Sequence, residues 1–292
     1  MPLTQHQFNP ADWLPKLKLP AINSHKGENG KLLIIGGSQL FHAASKWSLD
    51  VASKLVDMVF YASTPENAQL VKTAKGEFWN GIVIPLDHLE TYLVEADVIV
   101  IGPGMERSDQ TANLVNDLVA KYPSKKWLID AGALQMIDVG LIPATAILTP
   151  HLQELKLLAQ KLAVANSEAE AEQDSTAQPT KILASLADKL SCTILCKGQT
   201  DLILNQSEIW QVEGGNPGLT KGGTGDVLAG LVGGLYCQQD RLSASLIGSY
   251  INKLAGDDLA KKVGPFFNSS DLVNQIPLTL WRAYSESNPA KS

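Results

Sequence analysis

A short run of glycines ends in a carboxylate just before an apolar stretch: Lys221-Gly222-Gly223-Thr224-Gly225-Asp226, followed by VLAGLVGGLY. Glycine tolerates positive φ, which we expect at Gly225, and lets successive backbone N–H groups point into one space. At the start of a helix, those N–H groups and the helix dipole attract an anion such as phosphate. They can also stabilise the charge on a phosphoryl group during its transfer. The segment therefore predicts an anion hole at a helix N-terminus.

Asp226 is the carboxylate of this run, and two roles fit its position. Asp is a common N-cap before an apolar helix, where its side chain accepts a backbone N–H. It could also act as a base that takes the proton of a hydroxyl while that oxygen bonds to phosphorus. Taken alone, the position of Asp226 favours the cap. A catalytic role therefore depends on whether other segments place binding residues close to Asp226.

The elements around this run alternate between strand and helix. Continuously apolar runs are typical of strands covered on both faces, and they occur at 31–37, 58–63, 96–104, 126–132, 145–150, 192–198 and 201–206. Helical patterns separate most of them, which predicts an α/β fold with a doubly wound, mostly parallel central sheet flanked by helices. The last two runs are too close for a crossover helix, so we expect a late β-hairpin with KGQT as its turn.

Glycine-rich and polar residues follow several of these strands. Ligands of open parallel sheets bind beyond the carboxyl ends of the strands, where this chain has five such segments: 36–38, 102–104, 130–132, 149–151 and 197–198. One such turn is ordinary loop composition. Five of them, together with the glycine run, predict a binding site at one edge of the sheet.

Composition bounds the remaining possibilities. The net charge of −6 argues against a nucleic-acid partner, and no run approaches the ~18 apolar residues that a membrane span needs. No secretory signal is evident, so a soluble, cytoplasmic protein is expected.

We expect an N-terminal arm at 1–24, one catalytic domain at 25–284 with a mobile acidic loop at 164–180, and a disordered tail at 285–292. No His/Cys cluster predicts a metal site, and Cys192 and Cys196 fit buried small side chains.

The motifs together resemble a known family. GGTGDVLAG (222–230) is similar to the anion-hole motif of ribokinase-like proteins, and its Thr-Gly-Asp resembles the NAD(P)H-hydrate dehydratase branch. KLLIIGGSQLFHAAS, DVIVIGPGM, LIDAGAL, ILTPHLQEL and LCKGQTD resemble further segments of that family in order and spacing, over about residues 25 to 275. The standard P-loop motif and the dinucleotide-binding G-x-G-x-x-G motif are both absent.

The resemblance implies a repair enzyme for damaged nicotinamide cofactors. Such enzymes use ADP or ATP, with Mg²⁺, to phosphorylate the hydroxyl of the (S)-hydrate of NADH or NADPH, after which phosphate leaves. It implies that Asp226 is the catalytic base. The residues implied to line the hydrate pocket are Ala44, Gly104, His151 and Asp226. Those implied to contact the nucleotide are Lys197, Gly198, Gln199, Thr200, Asp201, Gly223, Thr224 and Gly225. Relatives are often homo-oligomers, so oligomerisation is possible here as well.

Two alternatives stay open, one from the shared fold and one from departures from the family pattern. Gly132 stands where the family usually has a second Asp, which predicts a missing polar contact, and Ala43 replaces a usual glycine. A small-molecule kinase of the same fold, acting on a hydroxymethylpyrimidine or thiazole alcohol, would use the same anion hole and the same Asp. A non-catalytic regulator that binds nucleotide or cofactor is the second alternative, although it would have no need of a carboxylate at Asp226.

Overall fold

A ten-stranded sheet forms the centre of the molecule, which is described here from a computed structural model covering residues 3–74, 81–165 and 178–289. The strand order is β1-β10-β9-β8-β7-β6-β5-β2-β3-β4, and only the pairs β8–β9 and β9–β10 are antiparallel. The strands are β1 (Thr4–Gln7), β2 (Lys31–Ile35), β3 (Met58–Ala62), β4 (Gly81–Val83), β5 (Val98–Ile101), β6 (Lys126–Ile129), β7 (Ile147–Leu148), β8 (Thr193–Cys196), β9 (Asp201–Asn205) and β10 (Glu208–Val212).

Helices cover both faces of this sheet. They are α1 (Pro10–Trp13), α2 (His42–Ala52), α3 (Pro65–Thr73), α4 (Leu89–Glu95), α5 (Asp109–Lys121), α6 (Ala131–Met136), α7 (Leu152–Ala165), α8 (Pro179–Ala187), α9 (Thr224–Gln238), α10 (Arg241–Val263) and α11 (Ser269–Ser287). Alternate residues of β2 enter two separate cores: Leu32 and Ile34 pack with α2, α9, α10 and α11, whereas Leu33 and Ile35 pack with α4, α5, α7 and α8. None of the helices described is long and apolar enough to cross a membrane.

The doubly wound sheet confirms the fold class predicted from the sequence. All seven predicted strands form, and β8 and β9 are an antiparallel hairpin, as expected. Three strands were missed: β1, β4 and β10. The sequences of β1 (TQHQ) and β10 (EIWQV) lack the continuous apolarity of the central strands, because these strands lie at or next to one edge of the sheet and are less fully buried.

The two ends of the chain differ from the prediction. The N-terminal arm is part of the sheet, since β1 pairs in parallel with β10, and its Phe8, Leu14 and Leu17 are buried in the core. The predicted disordered tail was wrong for residues 285–287, which continue α11.

The predicted acidic loop, 164–180, was too wide at both ends, because α7 extends to Ala165 and α8 begins at Pro179. Residues 166–177 of that loop and 290–292 of the tail lie outside the described residues.

Helix α9 packs unusually close to its neighbours. A side chain at Gly230 would overlap the backbone of Ser48 on α2, and one at Gly233 would overlap Val100 on β5. These interior glycines cost helix propensity, but they let α9 lie directly on α2 and on the sheet. Because of this close fit, the N-terminus of α9 lies at the carboxyl edge of the strands.

Candidate active site

The N-terminus of α9 is an open set of backbone donors. Gly223 is the N-cap, and the first intrahelical hydrogen bond runs from the Val227 N–H to the Gly223 carbonyl at 2.9 Å. The N–H groups of Gly225 and Asp226 precede that bond, so they are available to a ligand. The Thr224 hydroxyl donates to the carbonyls of Leu219 (2.7 Å) and Lys221 (2.9 Å), which fixes the loop before the helix.

The positive φ of this turn lies at Gly223 and not, as predicted, at Gly225. Gly223 has φ +94°, and a Cβ there would overlap the ring of Trp47 on α2, so no other residue fits without rearrangement. Gly225 is helical, and the nearest atom to a Cβ at that position is the Lys197 Nζ, at 3.6 Å. Its lack of a side chain instead keeps the space in front of the helix open.

Asp226 is the third residue of α9, so the alternative in which it is the N-cap is wrong. Its side chain is largely buried, and burial together with the negative charge of Asp130 raises its pKa from 3.8 to about 7. The positive charge of Lys197 opposes this rise. A carboxylate with a pKa near neutrality can accept a proton far more readily than an ordinary surface Asp.

A buried ion pair lies beneath Asp226. The Lys197 Nζ contacts the Asp130 Oδ1 at 2.8 Å, and the Thr149 hydroxyl donates to the same oxygen at 2.7 Å. Burial disfavours the charged lysine, but the carboxylates of Asp130, Glu154 and Asp226 outweigh it and raise the Lys197 pKa. Lys197 therefore places a fixed positive charge beside the N-terminus of α9.

His151 has a structural role that was not predicted from the sequence. Its Nδ1 accepts the backbone N–H groups of Gln153 (3.1 Å) and Glu154 (3.3 Å), so the ring caps α7. In return, the buried Glu154 carboxylate accepts hydrogen bonds from the His151 backbone N–H at 2.9 Å and from the Gln135 side-chain amide at 2.8 Å. Because Nδ1 is an acceptor, the neutral ring carries its proton on Nε2, on a side chain that is 53% exposed.

Ala44 on α2 and Gly104 in the turn after β5 lie close together. A Cβ at Gly104, where φ is +74°, would lie 3.0 Å from the Ala44 Cβ and 2.7 Å from the Phe41 carbonyl oxygen. One turn further along α2, the Ser48 hydroxyl donates to the Asp226 carbonyl oxygen at 2.7 Å. Helix α2 and the start of α9 are thus held together, and the turn after β5 packs against the N-terminus of α2.

A cavity of about 570 Å³ opens in front of the glycine run. Six of the eight predicted nucleotide contacts line it: Lys197, Gly198, Gln199, Asp201, Thr224 and Gly225. Thr200 and Gly223 are not among its lining residues. The remaining lining residues were not predicted: Gly214, Gly215, Asn216, Pro217, Leu219, Thr220, Leu228, Asn252 and Lys253.

Lys253 connects several of the residues that line this cavity. Its Nζ donates to the carbonyls of Gly198 (3.0 Å) and Gln199 (2.9 Å) and lies 3.3 Å from the Asp201 Oδ1. Asp201 in turn accepts the Gly198 N–H at 2.8 Å and the Ser249 hydroxyl at 2.7 Å. The sequence does carry a signal for Lys253: at the spacing of Leu246 and Ser249, it falls on the buried face of α10, where an unpaired lysine is rare.

Packing explains why position 132 is a glycine, where the family usually has a second Asp. A side chain there would overlap the Met105 carbonyl, because the turn after β5 lies directly over the start of α6. Main chain occupies the space near Gly132 into which a second Asp would have to fit. Ala43, where the family usually has glycine, is exposed in the first turn of α2.

Comparison with known proteins identifies the family of this chain. The family model of NAD(P)H-hydrate dehydratase matches residues 32–278. The chain belongs to this family. A bifunctional NAD(P)H-hydrate repair enzyme of Methanocaldococcus jannaschii is 34% identical over 91% of this chain and 51% of its own length. An ADP-dependent (S)-NAD(P)H-hydrate dehydratase of Nitrosopumilus maritimus is 31% identical over 87% of this chain and 89% of its own.

Solved structures support the fold of this family member. A ribokinase-like superfamily protein from Enterococcus faecalis superposes with a TM-score of 0.79 at 23% identity, covering 96% of each chain. The ADP/ATP-dependent NAD(P)H-hydrate dehydratase of Bacillus subtilis gives 0.72 at 20% identity over 94% of this chain and 97% of its own. The fold is therefore ribokinase-like. The chain spans about half the length of the bifunctional repair enzymes that it matches.

Proposed function

We propose that this protein is a nucleotide-dependent (S)-NAD(P)H-hydrate dehydratase that restores NADH or NADPH through a phosphorylated intermediate. The observation that carries the proposal is the position of Asp226. Its carboxylate, with a pKa of about 7, lies in the first turn of α9, directly after Gly225, which lines the 570 Å³ cavity. A proton acceptor and the phosphate-binding N–H groups therefore occupy the same helix turn. The activity named for the relatives requires both.

The first chemical step joins the hydrate hydroxyl to phosphorus. The hydroxyl oxygen on C6 of the reduced ring bonds to the terminal phosphorus of the nucleotide, and the bond from that phosphorus to the bridging oxygen breaks. The hydroxyl proton passes to Asp226. The N–H groups at the start of α9 and the Lys197 ammonium stabilise the charge on the transferring phosphoryl group.

The second step is elimination. The ring nitrogen donates electrons as the C6–O bond breaks, phosphate departs with the bonding pair, and a proton leaves the neighbouring carbon to restore the double bond. Phosphate is a far better leaving group than hydroxide, which is the reason to phosphorylate first. The Nε2–H of neutral His151, held in this tautomer by its capping of α7, can donate a hydrogen bond to the substrate.

Mg²⁺ would arrive with the nucleotide. Within residues 3–74, 81–165 and 178–289, no cluster of three or more His, Cys, Asp or Glu side chains could hold a metal by itself. A Mg²⁺ ion that is coordinated mainly by phosphate oxygens and water, as is usual in nucleotide enzymes, needs no such cluster. When bound, Mg²⁺ would neutralise phosphate charge.

The rest of the dinucleotide also needs space. A second cavity, of about 520 Å³, is lined by the turns that contain Gly37 and Met105 and by residues at the N-termini of α3 and α5. It shares no lining residue with the 570 Å³ cavity, and its Gly37 Cα would lie 3.2 Å from a Cβ at Gly104, a predicted hydrate contact. We propose that it receives part of the substrate beyond the nicotinamide ring.

The direct test is to incubate the protein with (S)-NADH hydrate and ADP or ATP and to follow the dihydronicotinamide absorbance. We expect absorbance to return only with nucleotide present, and not with the (R)-hydrate. A parallel incubation with ATP and a hydroxymethylpyrimidine or thiazole alcohol examines the kinase alternative. A stable phosphorylated alcohol there, with no absorbance recovery from the hydrate, would replace the dehydratase proposal with a kinase.

A further inference from the structure

Among the described residues, only two charged side chains line the 520 Å³ cavity, and both are carboxylates. Glu66 is the second residue of α3, and Glu106 lies in the turn between β5 and α5. The remaining lining residues are uncharged, and Arg107, which follows Glu106 in the chain, is not among them. A negatively charged group that enters this cavity therefore meets negative charge and no lining cation.

Neither of these two glutamates contributes to the fold through its carboxylate. Both residues are exposed, and neither has a hydrogen bond or an ion pair with another residue that the structure describes. Other exposed glutamates differ in this respect, since Glu90 pairs with Lys121 and Glu95 pairs with Lys31. The charges at the cavity are thus not neutralised by a neighbour, and their oxygens are open to a ligand.

The position of Glu66 suits contact with a ribose. Strands β2 and β3 are parallel neighbours joined by α2, and Glu66 follows the carboxyl end of β3. In dinucleotide sites of open α/β sheets, an Asp or Glu that binds the ribose 2′-hydroxyl accompanies NAD, whereas an Arg that binds the 2′-phosphate accompanies NADP. This chain lacks the glycine motif of those sites, but the electrostatic rule depends only on the charge that the ribose meets.

We propose that Glu66 and Glu106 make the enzyme select NADH hydrate over NADPH hydrate. The inference rests on the proposed function and on the proposed placement of the rest of the dinucleotide in the 520 Å³ cavity. The two substrates differ only by a phosphate on the adenosine ribose, which carries about two negative charges at neutral pH. The carboxylates can accept hydrogen bonds from the free ribose hydroxyls, but they repel the phosphate.

Selection of this kind acts on binding and not on the chemical step. The adenosine ribose is remote from C6 of the nicotinamide ring, so its contacts are the same in the ground state and in the transition state. The two substrates should therefore differ in KM and share a similar kcat. Because salt screens the repulsion between exposed charges, the difference should narrow as the ionic strength rises.

The test compares kcat/KM for (S)-NADH hydrate and (S)-NADPH hydrate. It uses the wild type and a double variant of the full chain, Glu66→Gln with Glu106→Gln. The matched control is Glu286→Gln on α11, at a side chain that is 70% exposed and lines neither cavity. We expect the wild type and the control to prefer NADH hydrate about tenfold. The double variant should lose most of this preference, chiefly through a lower KM for NADPH hydrate, with little change in melting temperature.

Equal efficiency of the wild type toward the two hydrates would overturn the proposal. A preference for NADPH hydrate would also overturn it and would assign Arg107 to the 2′-phosphate. A preference for NADH hydrate that the double variant retains would place the selecting group elsewhere and count equally against it. If the double variant does not fold, each single variant should narrow the preference, and an unchanged preference in both would refute the assignment.

Binding of the products gives a second measurement that does not depend on turnover. By dihydronicotinamide fluorescence, the wild type should bind NADH about tenfold more tightly than NADPH, and the double variant should bind the two alike. If this pattern appears but neither hydrate is dehydrated, the proposed function fails and the inference stands. If both hydrates are dehydrated equally well, the inference fails and the function stands. A wild type that neither dehydrates the hydrates nor binds NADH would overturn both.

Discussion

At the scale of single residues, the site depends on how three charges share a small buried volume. Lys197 is held by Asp130, and Asp226 feels both of them. The Asp130 carboxylate keeps Lys197 charged and at the same time makes ionisation of Asp226 harder. The outcome is a fixed cation for phosphate and a nearby carboxylate that is poised to take up a proton.

Replacing Asp226 with Asn separates its chemistry from its contribution to folding. Asn keeps the size and an acceptor oxygen but takes up no proton, and Asp226 is not the N-cap of α9. We expect turnover to fall by roughly 10² to 10⁴, the usual contribution of a positioned base, with ADP binding retained. Dehydratase assays and ADP titrations on one preparation give the result. Near-normal turnover would exclude Asp226 as the base.

The same variant should change how stability depends on pH. Because the folded-state pKa of Asp226, about 7, lies above its usual 3.8, the fold favours the protonated form. This contribution is complete below about pH 4 and is lost as the pH rises through about 7. Asp226→Asn does not ionise, so its melting temperature relative to wild type should rise between pH 4 and pH 8. A difference that stays constant across this range would contradict the raised pKa.

At the scale of elements, the N-terminus of α9 is shaped by what packs against it. Trp47 fills the space beside Gly223, Thr224 ties back to the preceding loop, and Ser48 bonds the Asp226 carbonyl. Two glycines of one short motif consequently serve different purposes. Gly223 makes the turn, and Gly225 leaves room for a ligand.

A pair of alanine variants tests this division. In Gly223→Ala, the methyl group overlaps Trp47 and the positive φ is strained, so stability should drop by about 1–3 kcal/mol. In Gly225→Ala, the backbone is already helical, so stability should change little, but the methyl group enters the phosphate space near Lys197 and ADP should bind more weakly. Chemical denaturation and ADP calorimetry on both variants check the expectation. Equal losses of stability would show that both glycines are structural.

Local pattern predicted most of the elements and the motifs of the candidate site, and its failures have physical causes. Apolar runs revealed β2, β3 and β5 because burial on both faces leaves an unmistakable composition. The short edge-side strands β1 and β10 carry polar residues, so nothing in their composition distinguishes them from loop. The helical spacing of α10 marks Lys253 as a buried lysine, but only tertiary packing brings α10, with Asn252 and Lys253, to the cavity. The sequence also did not show that the positive φ lies at Gly223 and not at Gly225. The contact that requires glycine there is with Trp47, which is far from Gly223 in sequence.

At the scale of the whole molecule, the sheet has two independently packed faces, and the N-terminal arm completes one of them. β1 adds an edge strand to β10, and Leu14 and Leu17 then enter the core formed by α9, α10 and α11. The arm therefore belongs to the same cooperative unit as the site. Its loss would expose both an apolar surface and the edge of β10.

Leu14→Ala tests whether the arm belongs to the core. Leu14 is 1% exposed, so truncation should lower the free energy of unfolding by about 2–5 kcal/mol. Leu278→Ala, at a residue of α11 that is 65% exposed, is the control and should change it by less than about 0.5 kcal/mol. Urea denaturation measures both variants. If the two leucines prove equivalent, the arm is only loosely attached.

The contact between Trp47 and Gly223 also has an optical consequence. The indole ring touches the turn that opens α9, and its Nε1–H donates to the Ser270 hydroxyl at 3.3 Å. Two other indoles, Trp13 and Trp210, pack against each other at the N-terminal arm. Phosphate arriving at α9 would change the electric field at Trp47, because this ring touches the turn that opens the helix, whereas Trp13 and Trp210 make no such contact with Gly223. Part of the protein's ultraviolet emission should therefore report occupancy of the site in real time, without any attached dye.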